Sequence, residues 1–181
     1  MRYVGCDVGT GNIAVTERVG NKHKKMKIKD AFFRVNADGF MEGSAAGFGE
    51  AMLKQSDSMY VKVDDVLYIL GDDAFRWAYM VNQDTLRPMS QGVLNPREPI
   101  AMAMVRELIR GVTGEGNEED ILYYCVPANP LDAEFDILFH QATLKGVFSE
   151  LGYKHTYRMT EGLAVVYSEL SDAVYRHRNL V

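Results

Sequence analysis

Six consecutive residues, Asp7-Val8-Gly9-Thr10-Gly11-Asn12, gather a carboxylate, two glycines, a hydroxyl and a carboxamide. Glycines let backbone N–H groups approach a phosphate closely, and threonine and asparagine side chains add hydrogen bonds to it. Asp7, at the end of a short apolar strand, can hold the waters around a magnesium ion. A turn of this kind is more often just a hairpin, and taken alone it is weak evidence of a site. No helix follows it, so it is neither a Walker loop nor a dinucleotide fingerprint. Two further segments invite chemistry. Val126-Pro127-Ala128 closes an apolar strand at its carboxyl end, where open α/β sheets build their sites. Thr160-Glu161-Gly162-Leu163-Ala164 follows another strand and opens a helix, so Glu161 sits at the positive end of the helix dipole. A strand terminator and an ordinary first-turn acid are the bland readings of these two.

The elements that must position these residues follow from pattern. Tyr3 to Asp7, Ile13 to Arg18 and about Met26 to Val35 read as an antiparallel meander, with a basic hairpin at Lys22 to Lys25. Asn36 to Ser58 is rich in Gly, Ala and Ser and reads as an irregular insertion, with a short helix around Gly49 to Lys54. Met59 to Val63 and Val66 to Leu70 flank Asp64-Asp65 as a hairpin does. A helix over Ala74 to Met80 comes next, then a turn at Gln91-Gly92.

Asn95-Pro96-Arg97-Glu98 predicts the start of a helix whose apolar stripe runs through Met104, Val105, Leu108 and Ile109. Ile121 to Val126 is an uninterrupted apolar run, as a strand buried on both faces would be. Asn129-Pro130 predicts a second helix that ends at Gly152; Tyr153 to Met159 is a strand, and Thr160 can cap a third helix through Leu170. A meander followed by strand, helix, strand, helix gives a mixed five-stranded sheet with flanking helices. All three candidate segments then fall on one edge of it.

Composition narrows the function classes. With 25 acidic against 20 basic residues and a net charge of -5, broad charge-driven nucleic-acid binding is not expected. No run reaches the length of a membrane span, and the first residues do not read as a signal peptide. Cys6 and Cys125 read as buried reduced thiols in a cytoplasmic protein, and the four histidines have no metal-ligand spacing. The cluster Lys22 to Lys29 reads as a solvated tip rather than a membrane or acidic-partner contact, because no aromatic or apolar face accompanies it in the sequence.

Taken in order, these motifs resemble the actin-like ATPase superfamily, and within it the bacterial rod-shape filament proteins of the MreB type. Asp7 to Asn12 is similar to the first phosphate loop, with Asn12 fitting the bacterial pattern. Gly71-Asp72 and Arg87-Pro88-Met89 with Gly92-Val93 look like the run between lobe and first helix, and Tyr124-Cys125-Val126-Pro127-Ala128 looks like the family's strand end. Glu161 partly matches the family's glutamate, although Gly162 stands where a proline is usual.

The resemblance implies a ribonuclease H-like, actin-like α/β fold. Residues 1–35 and 86–181 would form the main subdomain, and 36–85 a small inserted α+β subdomain. It implies ATP and Mg²⁺ as ligands. Asp7 would hold the metal through water, Gly9, Thr10, Gly11 and Asn12 would contact phosphate, and Glu161 would orient the attacking water. It also implies a cytoplasmic filament protein that associates with itself, with membrane-associated cell-shape or segregation partners.

No second phosphate loop or adenosine motif occurs before Val181, so the chain is expected to be the first half of such a protein, without its second lobe and inactive alone. The alternatives are a non-hydrolysing actin-like scaffold, a heat-shock-type chaperone or a sugar kinase.

Overall fold

A computed structural model describes residues 1–35, 46–95, 97–128 and 137–178, the side chains of 46–48, 137 and 171–178 excepted. In chain order the elements are β1 (Arg2–Val8), β2 (Asn12–Val19), β3 (Lys22–Lys29), β4 (Phe32–Val35), α1 (Ala46–Gln55), β5 (Tyr60–Val63), β6 (Val66–Leu70), α2 (Gly71–Met80), β7 (Met89–Ser90), β8 (Val93–Leu94), α3 (Ala101–Thr113), β9 (Ile121–Val126), α4 (Ile137–Glu150), β10 (His155–Thr160) and α5 (Glu161–Arg178).

The main sheet has the order β10-β9-β1-β2-β3. Strands β1, β9 and β10 are parallel, whereas β2 and β3 return antiparallel. This is the mixed five-stranded sheet expected from the sequence. Alternation along β1 gives the sheet its two faces: Val4, Cys6 and Val8 are buried, while Gly5 and Asp7 are exposed. The buried face meets the apolar stripe of α3 (Met104, Val105, Leu108, Ile109) and Leu144, Val147 and Phe148 of α4, forming the larger core. A second, smaller core gathers Phe33, Leu53, Ile69, Ala74 and Trp77 around the three-stranded sheet β4-β6-β5.

Several local expectations hold and several do not. The β5–β6 hairpin turns through Asp64 and Asp65, both with positive φ, as a tight two-residue hairpin requires. Gly152, at φ 92°, follows α4 where a glycine stop was expected.

The third strand of the meander is two strands, not one. β3 ends at Lys29, Asp30 is fully buried, and β4 then crosses to the other sheet. The lysines of 22–29 therefore lie along β3 itself rather than at a tip. α3 starts at Ala101, later than expected. Asn95 Oδ1 accepts the Arg97 N–H (3.1 Å), the Glu98 N–H bonds to Asn95 O (3.2 Å), and this run of turns precedes the helix. Pro96 and the expected cap at Asn129-Pro130 lie outside the described residues.

Strand β9 is not buried on both faces either. Tyr123 is 42% exposed, stacked on Tyr157 with ring centroids 5.1 Å apart, and faces the groove under α5.

Candidate functional site

The carboxyl ends of β1, β9 and β10 lie on one edge of the main sheet. Asp7 pairs with Cys125, and Cys125 with Met159, so these three form one row across the strands. Glu161 begins α5 directly after Thr160, which pairs with Val126. Asp7, Cys125, Met159 and Glu161 line a common groove of about 650 Å³ between the sheet and α5. Of Asp7, Thr10 and Glu161, expected together on one cleft, Asp7 and Glu161 line this groove. Thr10 is not among the groove's walls.

The turn between β1 and β2 is held from outside. Gly9 N–H bonds to Asn12 O (3.1 Å) across the turn, and the Asp30 N–H bonds to Gly11 O (3.2 Å). Thr10 Oγ1 accepts the Gly92 N–H at 2.9 Å. Arg87 donates through one nitrogen to Thr10 O and Asp30 O, both at 3.3 Å, and its guanidinium lies 5.5 Å from the centre of the Phe75 ring. Gly92 must be a glycine: its φ is 81°, and a Cβ there would sit 3.2 Å from Pro127. The β7–β8 turn thus fits between the phosphate-loop candidate and the strand end at Val126-Pro127.

Among the described residues the Thr10 and Gly11 amides donate to no backbone carbonyl, and a Cβ on Gly11 would meet nothing within 4 Å. Open amides beside an open glycine suit an anion. Asn12 Oδ1 is buried without a partner. Among the described residues no three His, Cys, Asp or Glu side chains cluster as direct metal ligands. Asp7 and the turn are compatible with Mg²⁺ and the phosphates of a nucleotide, and they would hold only one side of it.

Burial sets the protonation states. It raises the pKa of Asp7. It pushes the Cys125 thiol up to about 11, and the neighbouring Asp7 and Glu161 charges add to the effect. Cys6, fully buried behind Asp7, is raised further. Burial thus favours the neutral form of both thiols.

Asp30, beside the turn, was not singled out in the sequence. Both its carboxylate oxygens are buried and neither receives a hydrogen bond of good geometry; desolvation lifts its pKa to about 7, against smaller lowering by the Arg87 charge and the nearby Met89 amide. A single acid at the end of a lysine-rich strand carries no sequence signal of such a position. The contacts of Arg87 were equally invisible, although its Arg-Pro-Met setting was not.

Comparison with solved structures agrees on the architecture. A subunit of the MamK double helical filament matches with a TM-score of 0.55 and 21% identity, over 88% of this chain and 41% of that one. MreB 5 of Spiroplasma citri bound to AMPPNP matches with a TM-score of 0.45 and 14% identity, over 88% and 38%. AlfA from a Bacillus subtilis plasmid matches with a TM-score of 0.46 and 11% identity, over 89% and 56%. The chain thus spans less than two thirds of each of these proteins, and the likeness to the MamK subunit establishes an actin-like fold. No curated protein sequence matches the chain. The model of one family, volactin, matches residues 1–176. That match takes in all three sheets and the candidate groove: the chain belongs to the volactin family.

Proposed function

We propose that this chain supplies one wall of an ATP–Mg²⁺ site in an actin-like filament protein. The observation that carries the reading is the convergence of Asp7 and Glu161 on one groove, beside a glycine turn with open amides. Asp7 anchors the hydration shell of the metal, whose charge offsets that of the phosphates. The turn Gly9-Thr10-Gly11-Asn12 contacts phosphate through its amides. Glu161 would orient a water for in-line attack on the γ-phosphate, the bond to the β-phosphate oxygen breaking as the new one forms and ADP leaving. A main subdomain of residues 1–35 and 86–181 with 36–85 inserted belongs to the same reading, with the exception that β4 (Phe32–Val35) pairs into the sheet of the inserted part. Filament assembly by self-association, kinship with rod-shape proteins, cell-shape or segregation partners at a membrane and a cytoplasmic setting extend the same reading. Among the described residues no helix is long and apolar enough to cross a membrane.

Phosphoryl transfer needs groups around the developing charge from several sides. The 181-residue chain is therefore expected to bind Mg-ATP weakly and not to turn it over. Calorimetry and phosphate release on the purified chain test this. Asp7→Ala should abolish the residual binding, and Glu161→Ala should leave it nearly intact, because water orientation matters in the transition state. Tight binding with steady turnover, unaffected by either substitution, would contradict the proposal.

A further inference from the structure

The β9–β10 edge of the main sheet presents polar side chains on both of its faces. Alternate residues of a strand point to opposite sides. Tyr123 and Cys125 of β9 and Met159 of β10 line the groove under α5. Tyr124 of β9, with Thr156 and Arg158 of β10, lines a different groove of about 440 Å³ on the side of α4. Gln141, Ala142 and Lys145, neighbours on one face of α4, form its other wall.

The polar groups of this second groove are mostly donors. Arg158 donates to the side-chain oxygen of Gln141, which leaves the Gln141 amide nitrogen free to donate. Neither Arg158 nor Lys145 has a carboxylate partner among the described residues. None of the described residues lining the groove is acidic. Tyr124 is only 4% exposed, and its ring packs on Phe148 with centroids 5.1 Å apart. Its hydroxyl makes no hydrogen bond among the described residues. Arg158 pairs with Tyr124 across the strands, and its charge opposes the burial that raises the Tyr124 pKa. Buried hydroxyls ordinarily have a partner, and here the groove is the side from which one can come.

We propose that this groove binds a small phosphate-bearing molecule, its phosphoryl oxygens held by Arg158, Lys145 and the hydroxyls of Tyr124 and Thr156. Two cations match the nearly dianionic charge of a phosphate monoester at neutral pH. The guanidinium suits phosphate through paired N–H groups, and the ammonium adds a point charge. The groove lies within the range of small-ligand pockets, about 300–1,000 Å³, and leaves room for an organic group beside Ala142. A magnesium-bound triphosphate has oxygens already committed to the metal and is the poorer match. The site is on the opposite face of the sheet from Asp7 and Glu161, so it does not rest on the nucleotide reading.

NMR of the isotope-labelled 181-residue chain tests this, with inorganic phosphate and then glycerol phosphate added at an ionic strength held constant with chloride. Saturable shifts are expected at Gln141, Lys145, Thr156 and Arg158, with glycerol phosphate binding at least as tightly as phosphate. Arg158→Gln and Lys145→Gln should each weaken binding about tenfold, the effect of losing one charge-assisted hydrogen bond. Tyr124→Phe keeps the ring packing and every charge, and should weaken binding about threefold or more. Lys25→Gln, which removes an exposed cation from β3, should change nothing. Non-saturable shifts that chloride reproduces, or shifts confined to other parts of the chain, would overturn the proposal. So would an affinity unchanged in Arg158→Gln or Tyr124→Phe, or one weakened as much by Lys25→Gln.

Discussion

Replacing Arg2 with alanine is expected to remove about 3–5 kcal/mol of folding stability, the range for breaking a buried ion pair at one partner. Arg2 joins elements far apart in the chain. Its guanidinium reaches Asp120 (2.9 Å), which is 2% exposed, and Glu17 of β2 (3.0 Å). It also donates to the carbonyls of Thr113 (3.1 Å) and Glu115 (2.7 Å) and to Tyr153 Oη (2.9 Å). The start of β1, the end of α3, the loop before β9 and the residues before β10 therefore meet on one side chain. Without it, Asp120 keeps only backbone donors, Arg2 N–H (3.3 Å) and Asn117 N–H (3.2 Å), for a buried charge. Arg2→Lys should recover only part of the loss, since an ammonium cannot reproduce the planar fork. Urea unfolding of the three proteins measures this. A loss under about 1 kcal/mol for Arg2→Ala would mean that the network behaves as a surface salt bridge.

The second large effect is a dependence of stability on pH that passes through Asp30. Its carboxyl titrates at about 7 in the fold against 3.8 as a free group. Between those values the unfolded chain has lost the proton and the folded chain still holds it, so stability falls as pH rises from about 4 to 7 and levels off above. Asp30→Asn should abolish that fall. Its stability relative to wild type should therefore increase over the window by about 2–4 kcal/mol.

His140 works in the opposite sense. It is buried with neither ring nitrogen bonded, and burial lowers its pKa to about 4, so stability is lost as pH falls from 6.5 toward 4. The two slopes partly cancel in the wild type, which is why the difference between wild type and Asp30→Asn is the quantity to measure. Parallel unfolding curves across pH 4.5–8 would mean that Asp30 is solvated and ionised throughout.

How much of this was legible beforehand depended on whether a feature is local. The strand alternation of Val4, Cys6 and Val8, the helical stripe of Leu108 and Ile109, and the turns at Asp64-Asp65 and Gly152 each follow from neighbours in sequence, and each appears in the fold. The mixed five-stranded sheet followed too, because a meander and parallel crossovers leave few topologies.

Features set by distant parts of the chain were misread. β3 and β4 look like one strand because Asp30-Ala31 carries no turn signal. The break comes from Asp30 N–H pairing with Gly11 O and Gly71 N–H pairing with Ala31 O. The apolar run of β9 looks buried twice over, yet whether a face is covered depends on what lies on it, and Tyr123 faces a groove. At the site, Asp7 and Glu161 were legible as strand-end acids. The engagement of Thr10 by Gly92, and the Arg87 bridge between Thr10 and Asp30, required three segments remote in sequence to come together.

The central claim is that the turn at Gly9-Asn12 and the acids Asp7 and Glu161 face a bound nucleotide. Titrating isotope-labelled chain with Mg-ATP while following each backbone amide by NMR tests it most directly. The account predicts shifts concentrated at Thr10, Gly11, Asn12 and the first turn of α5, small elsewhere, and absent in Asp7→Ala. Shifts clustered away from that edge of the sheet, or identical shifts in wild type and Asp7→Ala, would contradict it.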